Sequence, residues 1–204
     1  MVVAGGAGRR LGGEVRKQFL LLGGVPVLLR ALRPFLDHPR IRQVVVVLPP
    51  SDMERPPPWL AGLALTIVAG GAERGDSVWN GLQEVAEDVD RVLIHDGARP
   101  LVSAAVIDRV LDGMGEGAAI AAVPVTDTVK EVDADGTIAG TPPRASLWLA
   151  QTPQGFPREG IVRAYRLARE AGEAATDDAA LYERYVGPVR VVMGSHRNLK
   201  VTRS

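Results

Sequence analysis

The apolar residues of this chain fall into short blocks that alternate between strand-like runs and helical spacing. Residues 2–4 make a brief apolar start that runs straight into Gly5, Gly6, Ala7 and Gly8. Across residues 26–36 apolar positions recur at helical spacing, with Pro26 suited to a first turn and Asp37-His38-Pro39 ending the run. Residues 43–48 are dominated by valine and closed by Pro49 and Pro50, the pattern of a strand covered on both faces. Beyond them, residues 65–69 predict a strand, Gly70-Gly71 a turn and residues 76–87 a helix. Residues 92–95 predict another strand, residues 103–113 a helix with Ser103 as its N-cap, and residues 118–123 a fifth strand. Strands separated by single helices imply parallel pairing through right-handed crossovers, hence a doubly wound, mostly parallel α/β sheet.

The pattern changes at Thr126. Residues 128–132, the turn Asp133-Ala134-Asp135-Gly136 and residues 137–140 have period 2 around a turn rich in Asp and Gly, which predicts a protruding β-hairpin arm. So small a hairpin must cover its apolar side against something else, and a second copy of the chain is the economical choice. A further segment at 150–156, helices over 158–171 and 177–185, and a strand over 189–193 complete the unit. The expectation is one domain over residues 1–204, with a dimerisation arm at about 126–150.

Composition narrows the chemistry. Of 204 residues 46% are hydrophobic but only 4% aromatic, so the interior must be built from Val, Leu, Ile and Ala. The 24 basic and 24 acidic residues cancel, so no overall field recruits nucleic acid or an anionic membrane, and any anion site is local. The absence of Cys excludes disulfides, thiolate metal sites and a cysteine nucleophile. No apolar run reaches the roughly 18 residues of a membrane span, and a cytoplasmic location is the expectation. In a chain rich in Arg the only lysines are Lys17, Lys130 and Lys200, which marks those positions for attention.

Four constellations carry candidate chemistry. Gly5, Gly6 and Gly8 are followed by Arg9, Arg10 and Lys17: either a plain turn, or a loop whose backbone approaches phosphates that Arg10 and Lys17 neutralise. The run has no Gly-Lys-Ser/Thr ending and does not fit the dinucleotide fingerprint. Gly70 to Val78 reads as backbone that could meet the edge of a base, with Ser77 at the helix start, or as ordinary capping by Asp76 or Ser77. His95-Asp96-Gly97-Ala98-Arg99-Pro100 ends a strand where open α/β sheets bind ligands; Asp96 could face a metal ion or a hydroxyl and Arg99 a phosphate, or the segment is an Asp-Gly turn. His95 is read as structural, since no other histidine shares its context. The fourth set is Thr128, Arg144, the Gln151-Thr152-Pro153-Gln154 run and residues 198–202, where Lys200 by itself reads first as a surface cation on a terminal segment.

Taken in order, AGGAGRRLGG with VRKQF, ERGDSV, HDGARP, PVTDTVK, LAQTPQGF, TDDAA and NLKVT resemble the 2-C-methyl-D-erythritol 4-phosphate cytidylyltransferase family from end to end. The resemblance implies a Rossmann-like nucleotidyltransferase fold, a homodimer joined through the β-arm, and transfer of CMP from CTP to a sugar-alcohol phosphate with Mg²⁺. It implies that the backbone at Ala4, Gly5 and Gly71, with Ser77, recognises cytosine, and that Gly97 lies against the ribose. Gly6 and Gly8 belong to the same nucleotide loop. Arg10, Lys17 and Lys200 would hold the triphosphate. Asp96, Arg99, Thr152 and Lys200 would surround the acceptor, with Thr128 and Arg144 reaching in from the partner's hairpin. Mg²⁺ would be carried mainly by the CTP phosphates, with Asp96 a candidate ligand. Ala72 departs from the family, many members having Asp there, which shifts base recognition toward backbone groups. Competing readings are a cytidylyltransferase for ribitol 5-phosphate, another nucleotidyltransferase of this fold, a non-catalytic nucleotide-binding module and, more remotely, a nicotinamide dehydrogenase.

Overall fold

The computed structural model describes residues 1–5, 17–173 and 177–202, with the side chain of Lys17 also outside that description. Its centre is a seven-stranded sheet in the order β5-β4-β1-β6-β10-β7-β11. The strands are β1 (Val2–Val3), β4 (Val45–Leu48), β5 (Thr66–Ala69), β6 (Arg91–Asp96), β7 (Ala118–Pro124), β10 (Trp148–Pro157) and β11 (Val189–Met193). Two further pairs stand apart from it: β2 (Leu21–Leu22) with β3 (Val25–Pro26), and β8 (Glu131–Val132) with β9 (Ile138–Gly140). Helices α1 (Val27–Leu36), α2 (Arg74–Gln83), α3 (Ala104–Met114), α4 (Arg158–Glu170) and α5 (Asp178–Tyr185) cover both faces. Among the described residues no helix is long and apolar enough to cross a membrane.

The sheet divides the core because successive side chains of a strand point to opposite faces. Val45 and Val47 of β4 face one cluster, with Val92, Ile94 and Ile120 and the apolar sides of α2, α4 and α5. Val46 and Leu48 face the other, with Leu93, Ala119 and Ala121 under α1 and α3. In α1 the residues Leu28, Leu32 and Phe35, at helical spacing, are buried against this second layer, each contributing about 2 kcal/mol of apolar burial.

One strand departs from the parallel pattern. Pairing is parallel for β1 with β4 and β6, for β4 with β5 and for β7 with β11. Inserted between β6 and β7, β10 runs antiparallel to both. Its register on β7 shifts between Ala150 and Gln154, so Gln151, Thr152 and the cis-bonded Pro153 bulge out of the ladder at the carboxyl end of β6.

The arm is shorter in strand than the expected 128–132 and 137–140, but it turns where the sequence places it. Asp133 Oδ1 accepts from the amides of Asp135 and Thr137 at 3.1 and 2.8 Å, and Gly136 takes φ 81°. Val132 and Ile138 stand 60% and 59% exposed in the single chain.

Candidate active site

The chain runs outward from β1 through β4 to β5 and then returns to β6 on the other side of β1. Open α/β sheets bind ligands in the crevice that such a reversal leaves at the carboxyl ends of the strands.

One side of the crevice is a glycine ledge. A Cβ at Gly5 would stand 2.6 Å from the Ser77 Oγ, and one at Gly70 would stand 3.0 Å from the Gly5 Cα, so the backbones touch only because both residues lack side chains. Ser77 is buried beneath them on α2, donates to the Glu73 carbonyl and accepts from the Gly71 amide, both at 3.1 Å. The helix starts at Arg74, two residues before the expected Asp76, because Glu73 and Asp76 form a reciprocal capping box. Ser77 is thus the brace of the Gly71 turn rather than the helix cap. On the far side of β1 the Gly97 amide donates to the Val3 carbonyl at 2.9 Å, and a Cβ there would meet that of Ala4 at 3.0 Å. The side-chain amide of Gln18 donates to the Ala4 carbonyl at 3.2 Å, which brings the backbone of Lys17 back to the ledge. Gly6, Gly8 and Arg10 lie outside the described residues.

Opposite the ledge stands a carboxylate ringed by cations. Asp96 ends β6; Lys200 Nζ lies 2.7 Å from its Oδ2, Arg99 Nε 3.7 Å from the same oxygen, and Arg74 Nε 3.5 Å from Oδ1. Burial alone would raise the Asp96 carboxyl, but Arg74 and then Lys200 outweigh it and hold it at about 2, so it is an anion at any working pH. Burial likewise opposes the charge on Arg74, yet Asp178 and Asp96 keep that guanidinium above its ordinary value. Arg74 grips the fully buried Asp178 with two nitrogens, at 2.9 and 2.7 Å, and Tyr165 donates its hydroxyl to the same carboxylate at 2.5 Å.

The β10 bulge and the segment after β11 complete this side. The Asp96 amide donates to Thr152 Oγ1 at 3.0 Å, and that hydroxyl lies 2.9 Å from His95 Nδ1. His95 Nε2 lies 3.1 Å from the Arg99 carbonyl, which can only accept, so Nε2 carries the proton and Nδ1 accepts from Thr152. Desolvation lowers the His95 pKa to about 4 and keeps it neutral, which this pattern requires. Asn198, fully buried, donates to the Thr152 carbonyl at 2.8 Å while its own backbone carbonyl accepts from Arg99 at 2.8 Å. With the Val201 amide on the Ala98 carbonyl at 2.7 Å, this lays Lys200 over Asp96.

The structure therefore brings Ala4, Gly5, Gly71, Ser77 and Gly97 together on the ledge, and Asp96, Arg99, Thr152 and Lys200 together across from it. Thr128 and Arg144 sit on the exposed arm, where Arg144 donates to the Thr126 carbonyl at 2.7 Å. Among the described residues no hydrogen bond or ion pair joins either to the Asp96 cluster. Arg74, which the sequence does not single out, stands with the group across from the ledge, beside Asp96. Its local signal is a cation at the start of a helix, which opposes the helix dipole and calls for a specific partner.

A doubly wound sheet whose switch point has a glycine ledge on one side and clustered cations on the other suits a nucleotide and its phosphates, and comparison with known proteins makes the class a nucleotidyltransferase. Over residues 1–204 the sequence matches the family of 2-C-methyl-D-erythritol 4-phosphate cytidylyltransferase. It is 47% identical to the enzyme of that name from Syntrophus aciditrophicus, across 99% of this chain and 89% of the relative. The crystal structure of the Thermus thermophilus enzyme of the same name is similar with a TM-score of 0.83 and 35% identity, covering 100% of this chain and 92% of that one. That of 4-diphosphocytidyl-2C-methyl-D-erythritol synthase from Anaerococcus prevotii gives 0.87 at 28% identity, with 99% and 90% covered. The chain belongs to the 2-C-methyl-D-erythritol 4-phosphate cytidylyltransferase family.

Proposed function

We propose that the chain transfers CMP from CTP to 2-C-methyl-D-erythritol 4-phosphate and releases pyrophosphate. A phosphate oxygen of the acceptor attacks the α-phosphorus in line, and the bond from that phosphorus to the bridging oxygen of the β-phosphate breaks. The nucleophile is already an anion, so no strong general base is needed, and both ring nitrogens of the buried His95 are engaged by Thr152 and the Arg99 carbonyl. The work lies in bringing two polyanions together and stabilising the leaving pyrophosphate, a task for fixed cations. The observation that carries the reading is Asp96 with Lys200, Arg99 and Arg74 around it, across the switch point from the Gly5 ledge.

On this reading Ala4, Gly5 and Gly71, braced by Ser77, meet the cytosine, Gly97 meets the ribose, and Gly6 and Gly8 follow the phosphates. Arg10, Lys17 and Lys200 hold the triphosphate. Asp96, Arg99 and Thr152 face the acceptor, completed by Thr128 and Arg144 of the partner subunit in a homodimer joined through the arm. Magnesium would be carried mainly by the CTP phosphates, because Asp96 is already met by Lys200, Arg99 and Arg74. Asp96 would be a candidate ligand only where Lys200 turns away from it, and the ion when bound would offset phosphate charge.

Pyrophosphate release by the purified protein tests the reading. It is expected only when CTP, Mg²⁺ and methylerythritol phosphate are all present, and a folded Lys17→Ala variant should lose roughly 100-fold or more in turnover. Equal turnover of ribitol 5-phosphate would move the assignment to that acceptor, and no turnover of either would end it.

A further inference from the structure

We propose that Arg74 is a positioning residue for the transfer: anchored from behind by Asp178, it holds the Asp96 carboxylate in place when Lys200 turns to the incoming phosphates. The inference rests on the reading of Lys200 and Asp96 just given, and adds a role for a buried cluster outside the substrate-facing set.

The two oxygens of Asp96 are not equivalent. Oδ2 is approached by Lys200 at 2.7 Å and Arg99 at 3.7 Å, the cations that substrate phosphates would recruit. Lys200 is suited to leave, since its side chain is 38% exposed and ends a flexible stem. Once it leaves, Asp96, whose side chain is only 10% exposed, faces the cost of a buried charge without its nearest partner. Arg74 cannot leave in the same way. Its two terminal nitrogens are bound end-on to Asp178, whose side chain is 0% exposed, and Tyr165 fixes that carboxylate in turn. Only Nε remains, and it faces Asp96 Oδ1 at 3.5 Å. A pair serving only to tie α2 to α5 would be complete with the end-on fork. The side-on approach to Asp96 extends it into the crevice and leaves Oδ2 as the oxygen offered to an acceptor hydroxyl. Four elements, α4, α5, α2 and β6, thereby set the angle of one carboxylate.

Replacing Arg74 alone would strand Asp178 as a buried anion and risk unfolding, so the test removes the pair together as Arg74→Met/Asp178→Asn, with thermal unfolding as the control. The folded double variant is expected to lose about 10-fold or more in kcat/KM for methylerythritol phosphate while KM for CTP stays within about two-fold. In an Asp96→Asn background the same pair of changes should cost less than about two-fold further, because the carboxylate it positions is gone. Arg74→Lys, which keeps the charge and loses the fork, should not restore the acceptor kinetics. A folded double variant with wild-type acceptor kinetics, or a loss of full size in the Asp96→Asn background, overturns the proposal and leaves the functional reading standing. An inactive wild-type protein overturns both.

Discussion

Apart from the family resemblance of NLKVT, the residues beside Lys200 do not separate it from a surface cation. Its position comes from contacts made elsewhere: Asn198 clipped to the Thr152 carbonyl and Val201 to the Ala98 carbonyl carry Lys200 across the crevice to Asp96. Such pairings join residues far apart in the chain and leave no local signature, whereas the Asp-Gly turn after β6 is a local feature and was legible. His95 shows the same division. Its context named it structural, but only the fold shows that its neutral ring orients the Thr152 hydroxyl. A pH dependence follows. The folded protein keeps His95 neutral down to about 4, while the unfolded chain takes up a proton near 6.5, so the unfolded state binds more protons between these values and stability falls as pH drops through that window. The loss from this residue amounts to at most ~3 kcal/mol. Denaturant unfolding from pH 7 to pH 4.5 should show a shallower decline for His95→Gln than for the wild type; parallel curves would refute the assignment.

At the level of elements, most strands and helices were legible because their periodicity is local. The misplaced start of α2 and the direction of β10 were not. The first depended on the Glu73 and Asp76 capping box, which competes with Ser77 as the stop signal. The second depended on which neighbours a strand finds after the arm's excursion, which residues 150–156 do not state. The glycine ledge is an element-scale feature as well: β1, the turn after β5 and the first turn of α2 approach one another more closely than any side chain permits. Gly5→Ala should therefore destabilise the fold by about 1–3 kcal/mol and weaken CTP binding with it, since the Ser77 hydroxyl and the Gly70 backbone both oppose the new methyl. Adding Ser77→Ala should recover part of the stability by removing the 2.6 Å contact, a coupling that equilibrium unfolding of the single and double variants measures.

At the scale of the whole molecule the arm carries apolar surface that the single chain leaves exposed. Val132 and Ile138 at its tip and Trp148 and Leu149 at its base are exposed large apolar residues, which agrees with cover by a second subunit. If the arm completes the partner's site, mixing Lys17→Ala chains with Arg144→Ala chains should restore turnover that neither has alone, because each hybrid dimer contains one intact site. No recovery in hybrids confirmed by sedimentation would refute the shared site. The inserted strand β10 has a consequence of a different kind, in the order of synthesis. A nascent chain that ends at Pro124 has supplied β6 and β7 but not the strand that separates them, so the two flanks of the sheet remain unjoined until Pro157 has left the ribosome. The ledge of Gly5, Gly71 and Gly97 is drawn wholly from the first half of the chain, while Thr152, Asn198 and Lys200 all arrive after the arm. The glycine ledge is translated first, and the residues that carry Lys200 over Asp96 are added last.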